Sequence, residues 1–469
     1  MAAAPPPAIL ARIGGWAAAL APGDIPEPVR HVARRAIIDT IGVMIAGADT
    51  AVGRLAAVEA RATYAPGPAR LAAGGALAGP GAAFANATAA HALDFDDNCY
   101  AGVVHGSAAV LPAALASVQE AGGDGAALLL AFVAGSEVEY AIGEVLGDAI
   151  YARGWWTSAL FGTAGAAAAA GRAMGLVPGA MAAALGTALA GAGGVKAAFG
   201  SDAKPLLLGR ASAAGLGAAR LAAMGASGPD AALEAAAGLA ALLGVTPAAE
   251  RAGGPAECGW RLLTPGLDVK RVPVCLSAHA AIDALEDLCR ETRVAGEAIA
   301  AIEVDAPALV WRNLGHPRPR TAREAQFSMP FVLAMTALGR PLTVAALDEA
   351  VAPDAPLAAL MERVSARSSP EWDAPARRAA APEGAALRVR LRDGRVLEAA
   401  RDRPRGGADD PLSDAELDAK FLTCVAPSLG VDAAAALLAR LRRLEAIADL
   451  SDLPRPAAAA SAAPKETSS

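Results

Sequence analysis

In "PEPVRHVARRAIIDTIGVMIAGA" (26–48) the apolar positions Val29, Val32, Ala36, Ile37 and Ile41 recur at helical spacing, while the arginines gather on another face. That spacing predicts an amphipathic helix ending at Gly47. Runs of the same kind follow at "GSAAVLPAALASVQEAGG", "AALLLAFVAGSEVEYAIGEVL" and "RASAAGLGAARLAAMGASG", punctuated by Gly and Pro, from Pro5 to about Leu243. They share no fixed period, which argues against a solenoid. Near Thr264 the pattern shortens to β-branched alternation. "LDVKRVPVC" and "IAAIEVDAP" read as strands, and Leu387, Val389 and Leu391 alternate ahead of Asp393-Gly394, a hairpin signal. Helical spacing lies between them at "AHAAIDALEDLCRE" and "EAQFSMPFVLAMTALG", then returns at "SDAELDAKFLTCVAP", where Ser413 and Glu416 are placed as a capping box. The expected fold is mainly α, with a large all-helical domain formed by both ends of the chain (1–264 and 408–453). A smaller α+β domain (265–407) is inserted between them, and a low-complexity tail (454–469) is expected to be disordered.

Composition narrows the class. The hydrophobic fraction is 54% but aromatics make up only 4%, so the core must come from Ala, Leu and Val on closely packed helices. A formal net charge of -7 offers no broad basic face, which argues against nucleic-acid binding and against attachment to an anionic membrane. A small anionic substrate remains compatible, because local cations suffice to hold it. The five cysteines are scattered, odd in number and free of any CxxC pair, so neither a disulfide framework nor a metal site is expected, and a cytoplasmic location fits. "MAAAPPPAILARIGG" lacks the positive n-region of a signal peptide. Leu176 to Val195 has the length of a membrane span without a charge, but its Gly and Ala content favours a buried helix with small-residue contacts.

One stretch concentrates the titratable groups. "HALDFDDNCYAGVVHGSAAVLPAALA" (91–116) holds Asp94, Asp96 and Asp97 together with two of the five histidines. Three readings compete on residue type alone. The acids can cap a helix end, or bind a hard cation, although the ligand loop and glycine of an EF-hand are missing. Alternatively, one Asp and a histidine can serve proton transfer in a pocket, with the other acids in support.

The order of motifs bears on that choice. "NATAAHALDFDDNCYAGVVHGSAAVLPAALA" resembles the signature of the MmgE/PrpD family, H-A-L-D-F-D-D-T followed by a short loop, H-P-S and an apolar helix. "RGWWTSALFGTAGAAAAAGRAMGL" is similar to the family's R-G-F/W-H-P-T-x-x-F-G segment, "SDAKPLLLGRASAAG" to its T-K-P-x-x-x-G-R-A-A, and "VPVCLSAHAAIDAL" to its P-x-C-x-x-x-H-x-x-I-D. "EAQFSMPF" and "LDAKF" complete six matches in family order, from about Asp24 to Ala448. The resemblance implies that the inserted α+β unit is a lid, that the protein is a homodimer, and that a metal-free and cofactor-free active site lies between helical domain and lid. It implies a lyase acting on a small carboxylate through proton exchange next to that carboxylate. Dehydration of a hydroxy-carboxylate, as in 2-methylcitrate dehydratases, is the default expectation, with decarboxylation or epimerisation as the alternative. A catalytically inactive binding homologue is the alternative of another class.

Carried over residue by residue, the resemblance places Asp94, His105, Lys204 and His279 in the catalytic site, and Asn98, Trp156, Ser107 and Arg210 as substrate contacts. His105 or His279 suits acid–base work near neutral pH, and Lys204 suits a carboxylate anchor. His91, His31, His316 and Cys275 read as structural. The departures matter too. Asn98 stands where the family has Thr, and Trp156 and Leu208 stand where it has His. If Trp156 faces the pocket, a third carboxylate loses a partner there, so 2-methylcitrate and cis-aconitate are expected to be poor substrates.

Overall fold

The computed structural model describes residues 8–367 and 369–455, so the expected tail lies outside the described residues from position 456 onward. Its longer helices are, in chain order, α1 (Ile9–Ala19), α2 (Glu27–Ala48), α3 (Ala51–Thr63), α4 (Gly79–His91), α5 (Gly106–Ala121) and α6 (Gly125–Leu146). There follow α7 (Thr157–Ala173), α8 (Pro178–Ala190), α9 (Ala203–Ala223), α10 (His279–Thr292), α11 (Met329–Ala337), α12 (Asp414–Leu429) and α13 (Val431–Leu441). The protein is mainly α, as the periodicity predicts. Helix α2 runs one residue past the expected stop, and the Ser413–Glu416 capping box opens α12 with both reciprocal bonds in place.

The hydrophobic residues form two main clusters. One joins residues from α1 through Leu267 with residues of α12, α13 and the segment after them, and α12 packs along α2. The other lies between Val272 and Leu391, where α10 and α11 cover a four-stranded sheet. Its strands β1 (Ile299–Asp305), β2 (Val364–Arg367), β3 (Ala385–Leu391) and β4 (Val396–Arg401) lie in the order β2-β1-β3-β4. The β1–β2 pairing is parallel and the others are antiparallel. The β3–β4 hairpin turns at Asp393-Gly394, with Gly394 at φ +90°, as its signal predicts. The inner face of β3 alternates buried Leu387, Val389 and Leu391 with exposed Arg388 and Arg390.

One expectation needs correction. "LDVKRVPVC" forms no strand. Pro273 offers no N–H to a ladder, and the backbone pairs piecemeal instead: Asp268 with Asn98, Val269 with Gly406, Cys275 with Gln326. The segment 267–275 thus threads between the two clusters. Leu176 to Val195 holds the expected buried helix in shorter form: α8 covers 13 residues, buries Met181, Leu185 and Leu189, and ends before Gly191. Among the described residues a different helix, α6, is long and apolar enough to cross a membrane, and 89% of that window is buried among its neighbours.

Small residues bring the helices close enough to build the site. Gly209 of α9 rests on α4, where an added Cβ would meet the Thr88 side chain and the Phe84 carbonyl. That close approach carries the first turn of α9, with Lys204, to the end of α4, where the acidic loop begins.

Candidate active site

The loop 92–105 between α4 and α5 folds back on itself. Asp94 takes a left-handed φ of +49°, a conformation that a short polar side chain tolerates, and its N–H bonds back to the His91 carbonyl at 3.2 Å. The turn aims the Asp94 carboxylate at two ammonium groups. Lys204 donates to Oδ1, while Lys270 lies 3.1 Å from Oδ2 and donates to the Asp94 carbonyl at 2.7 Å. Burial would raise the Asp94 pKa, but the two lysines, aided by His105 and His91, outweigh it and hold the carboxyl well below the usual carboxylate range. Two lysines on one carboxylate leave the trio one net positive charge.

The neighbouring acid binds the imidazoles. His91 Nδ1 lies 2.8 Å and His105 Nδ1 3.4 Å from Asp96 Oδ2, with the two rings edge-on at 4.7 Å. Burial pushes His91 down to about 3, so it is neutral and its Nδ1–H donates to Asp96. Asp96 itself is held well below its ordinary range, since His91 and His105 outweigh its burial. The His105 ring is fixed by its second contact, Nδ1 to the Asp97 carbonyl at 3.0 Å. A carbonyl only accepts, so Nδ1 carries a proton and Nε2 is the nitrogen left for proton exchange. No hydrogen bond among the described residues engages that Nε2. The His105 side chain is also the most accessible of the group, 13% exposed against 0–5% for His91, Asp94, Asp96, Lys204 and Lys270. The cluster therefore presents one imidazole nitrogen outward, backed by a carboxylate and flanked by cationic charge.

His91, Asp94, Asp96 and His105 also bring four ligand-type atoms within 4.8 Å of one another. They fit a divalent ion poorly. Asp94 already meets two lysines, and both imidazoles turn Nδ1 toward Asp96. A metal among them would face two ammonium groups at close range.

The other expected site residues fare unevenly. His279 starts α10 but is buried, with Nε2 3.2 Å from the Val274 carbonyl. Burial, then Lys270 and Arg271, push it down to about 3, and it does not join the His91–His105 pair. Asn98 is buried and tied through its backbone to Asp268, with Nδ2 unpartnered. Three more are placed as follows. Ser107 is fully buried and donates to Asp97, so no face is left for a substrate. Asp97, pushed up to about 7 by burial, is held in the same buried contact. Trp156 has no exposed surface; it stacks on His91 at 5.3 Å and packs with Leu208, the other departure from the family pattern, in one apolar cluster. It thus lies beside both the His91 ring and the Lys204 ammonium, whose Nζ is 5.7 Å from the indole centroid. Arg210 lies exposed on the far side of α9, about 120° round the helix from Lys204. Conversely, His91, read as structural, belongs to the cluster, and Lys270 was missed. Its signal was the rarity of lysine, five among 41 basic residues.

Comparison with known proteins adds an independent line. The sequence profile of the MmgE/PrpD N-terminal domain matches residues 11–251, and that of the MmgE/PrpD C-terminal domain matches residues 272–446. Human cis-aconitate decarboxylase is 29% identical over 454 residues, covering 92% of this chain and 90% of its own. The cis-aconitate decarboxylase-like protein oryM of Aspergillus oryzae is 28% identical over 470 residues, covering 95% and 96%. Cis-aconitate decarboxylase of Mus musculus is 27% identical over 386 residues, covering 80% and 77%.

Proposed function

The chain belongs to the MmgE/PrpD family, and from that premise we propose that it is a cofactor-independent lyase that decarboxylates an unsaturated polycarboxylate of the cis-aconitate type. One observation carries the reading: His105, the most accessible side chain of the buried cluster, keeps its Nε2 free of hydrogen bonds beside a Lys204–Asp94–Lys270 trio that carries one net positive charge. The names of the relatives move the reading from dehydration, the default expected from sequence, toward decarboxylation.

The chemistry suits these groups. In cis-aconitate one carboxylate sits β,γ to the double bond. When its C–C bond breaks, carbon dioxide leaves and the electron pair moves through the double bond onto the carbon beside another carboxylate. That carbanion is stabilised as an enolate by a nearby cation, the role assigned to Lys204. One proton must then reach carbon, and His105 delivers it from Nε2 after taking it from solvent. The Asp96 carboxylate steadies the imidazolium in that state. In this reading the sheet-bearing unit acts as a lid, and Asp94 with Lys270 positions Lys204.

The test is turnover of cis-aconitate and of 2-methylcitrate by the purified protein, with products identified by proton NMR. Carbon dioxide release from cis-aconitate supports the reading. Water loss from 2-methylcitrate without any decarboxylation would return the assignment to a dehydratase, and turnover of neither would remove the carboxylate-lyase reading.

A further inference from the structure

Of the four described lysines, three are buried against carboxylates: Lys204 and Lys270 on Asp94, and Lys420 2.7 Å from Asp39. Lys196 differs. Among the described residues no carboxylate oxygen lies within 4.0 Å of its ammonium group. Its Nζ sits 3.7 Å from the centroid of the Tyr151 ring and donates to Asn313 Oδ1 at 2.6 Å. An ammonium offers three N–H donors, so capacity remains for an anion.

The groups around Lys196 are built to hold it. Asn313 Nδ2 donates to Ser277 Oγ at 2.9 Å, which fixes the amide with its oxygen toward Lys196. Ser277 donates in turn to Glu383, whose other oxygen accepts from the Tyr100 hydroxyl at 2.8 Å. This string ends at Tyr100, in the same 92–105 loop that carries His105. Lys196 and Lys204 also flank one aromatic ring, their Nζ atoms 5.7 and 4.8 Å from the Phe199 centroid, so the two ammonium groups lie at most about 10.5 Å apart. Two carboxylates of one small molecule, each meeting one ammonium at hydrogen-bond distance, fit within that limit.

We propose that Lys196 is a specificity-determining residue that binds a second carboxylate of the substrate, distal to the one beside Lys204, with Asn313, Ser277, Glu383 and Tyr100 holding it in place. The inference rests on the carboxylate-lyase reading of the site around His105 and Lys204. Burial lowers the Lys196 ammonium to about 8, and a bound carboxylate supplies the counter-charge that the protein leaves out.

The test uses the full chain and a ligand that cannot react. Calorimetry with propane-1,2,3-tricarboxylate and with butyrate compares wild type, Lys196→Met, Lys196→Arg and Asn313→Asp. Loss of a charge-assisted contact predicts that Lys196→Met weakens tricarboxylate binding roughly 10- to 100-fold and leaves butyrate within about twofold. Lys196→Arg should recover most of the loss. Asn313→Asp, which gives Lys196 an internal counter-ion, should weaken the tricarboxylate even if Lys196→Met fails to fold. In turnover, KM for the polycarboxylate should rise with kcat changed less than about threefold. Equal weakening of both ligands, no weakening of either, or a wild type that does not bind the tricarboxylate overturns the inference. A wild type that binds it but turns over no carboxylate refutes the lyase reading alone, and the variants' binding still decides the role of Lys196.

Discussion

Replacing Lys270 with Met tests the electrostatic frame of the site. Lys270 is fully buried and loses two interactions at once, the 3.1 Å pair with Asp94 Oδ2 and the 2.7 Å bond to the Asp94 carbonyl. Methionine nearly matches its length, so little cavity forms. What remains is a buried carbonyl without a donor, about 1–3 kcal/mol, and a carboxylate left with one cation where it had two. Breaking a buried ion pair from one side costs about 3–5 kcal/mol, and we expect Lys270→Met to fall in that range. Asp94→Asn should cost more, because it strands two buried ammonium groups. The control is Arg388→Met, whose partner Glu398 lies 3.9 Å away on an exposed sheet face and which should change stability little. The two hydrophobic clusters need not unfold together, so the assay is native-state hydrogen exchange of the amides from His91 to Val104, backed by guanidinium midpoints. If Lys270→Met protects those amides as well as Arg388→Met does, the proposed clamp on Asp94 is wrong.

Three further outcomes follow from the geometry. His105→Gln should lower kcat roughly a hundred- to ten-thousand-fold while Arg210→Ala, exposed on the far side of α9, leaves kcat and KM unchanged; steady-state kinetics that reverse this order reject the assignment of His105. Activity should survive EDTA, since Lys204 and Lys270 occupy the charge a metal would take among His91, Asp94, Asp96 and His105; loss on chelation with recovery by one divalent ion would reverse that reading. Burial raises Glu137 to about 7, so the native state holds a proton there that the unfolded chain releases near 4.5. Wild type should therefore lose stability relative to Glu137→Gln as pH rises from about 4.5 to 7, and unfolding midpoints with an equal gap at pH 5 and pH 7.5 would contradict it.

Much of the fold is legible wherever one residue period persists. The stripe of Val29, Ala36, Ile37 and Ile41 in α2, the Asp393-Gly394 hairpin and the Ser413–Glu416 cap all depend on neighbours within a few positions. "LDVKRVPVC" misleads because alternation marks an extended chain but not its partner, and this segment pairs residue by residue with separate loops. The same blindness hides Lys270, whose burial is set by an Asp94 turn 176 residues away. Motif order brings His105, Asp94 and Lys204 together as the structure does, whereas His91 looks structural because its part lies in a shared contact with Asp96. Trp156 and Leu208 read as two lost polar contacts, and only packing reveals that they meet in one apolar cluster behind His91. Lys196 carries no motif at all, and its meaning comes from Tyr151 and Asn313, which no local pattern links to it.

In the proposed reaction His105 delivers one proton to the carbon skeleton as carbon dioxide leaves. The most direct measurement is turnover of cis-aconitate in deuterated solvent with EDTA present, following carbon dioxide by trapping and deuterium in the product by mass spectrometry. One carbon dioxide and one carbon-bound deuterium are expected per molecule consumed, both abolished in His105→Gln. Decarboxylation that persists in His105→Gln at the wild-type rate, or an absence of carbon dioxide release from wild type, contradicts this reaction.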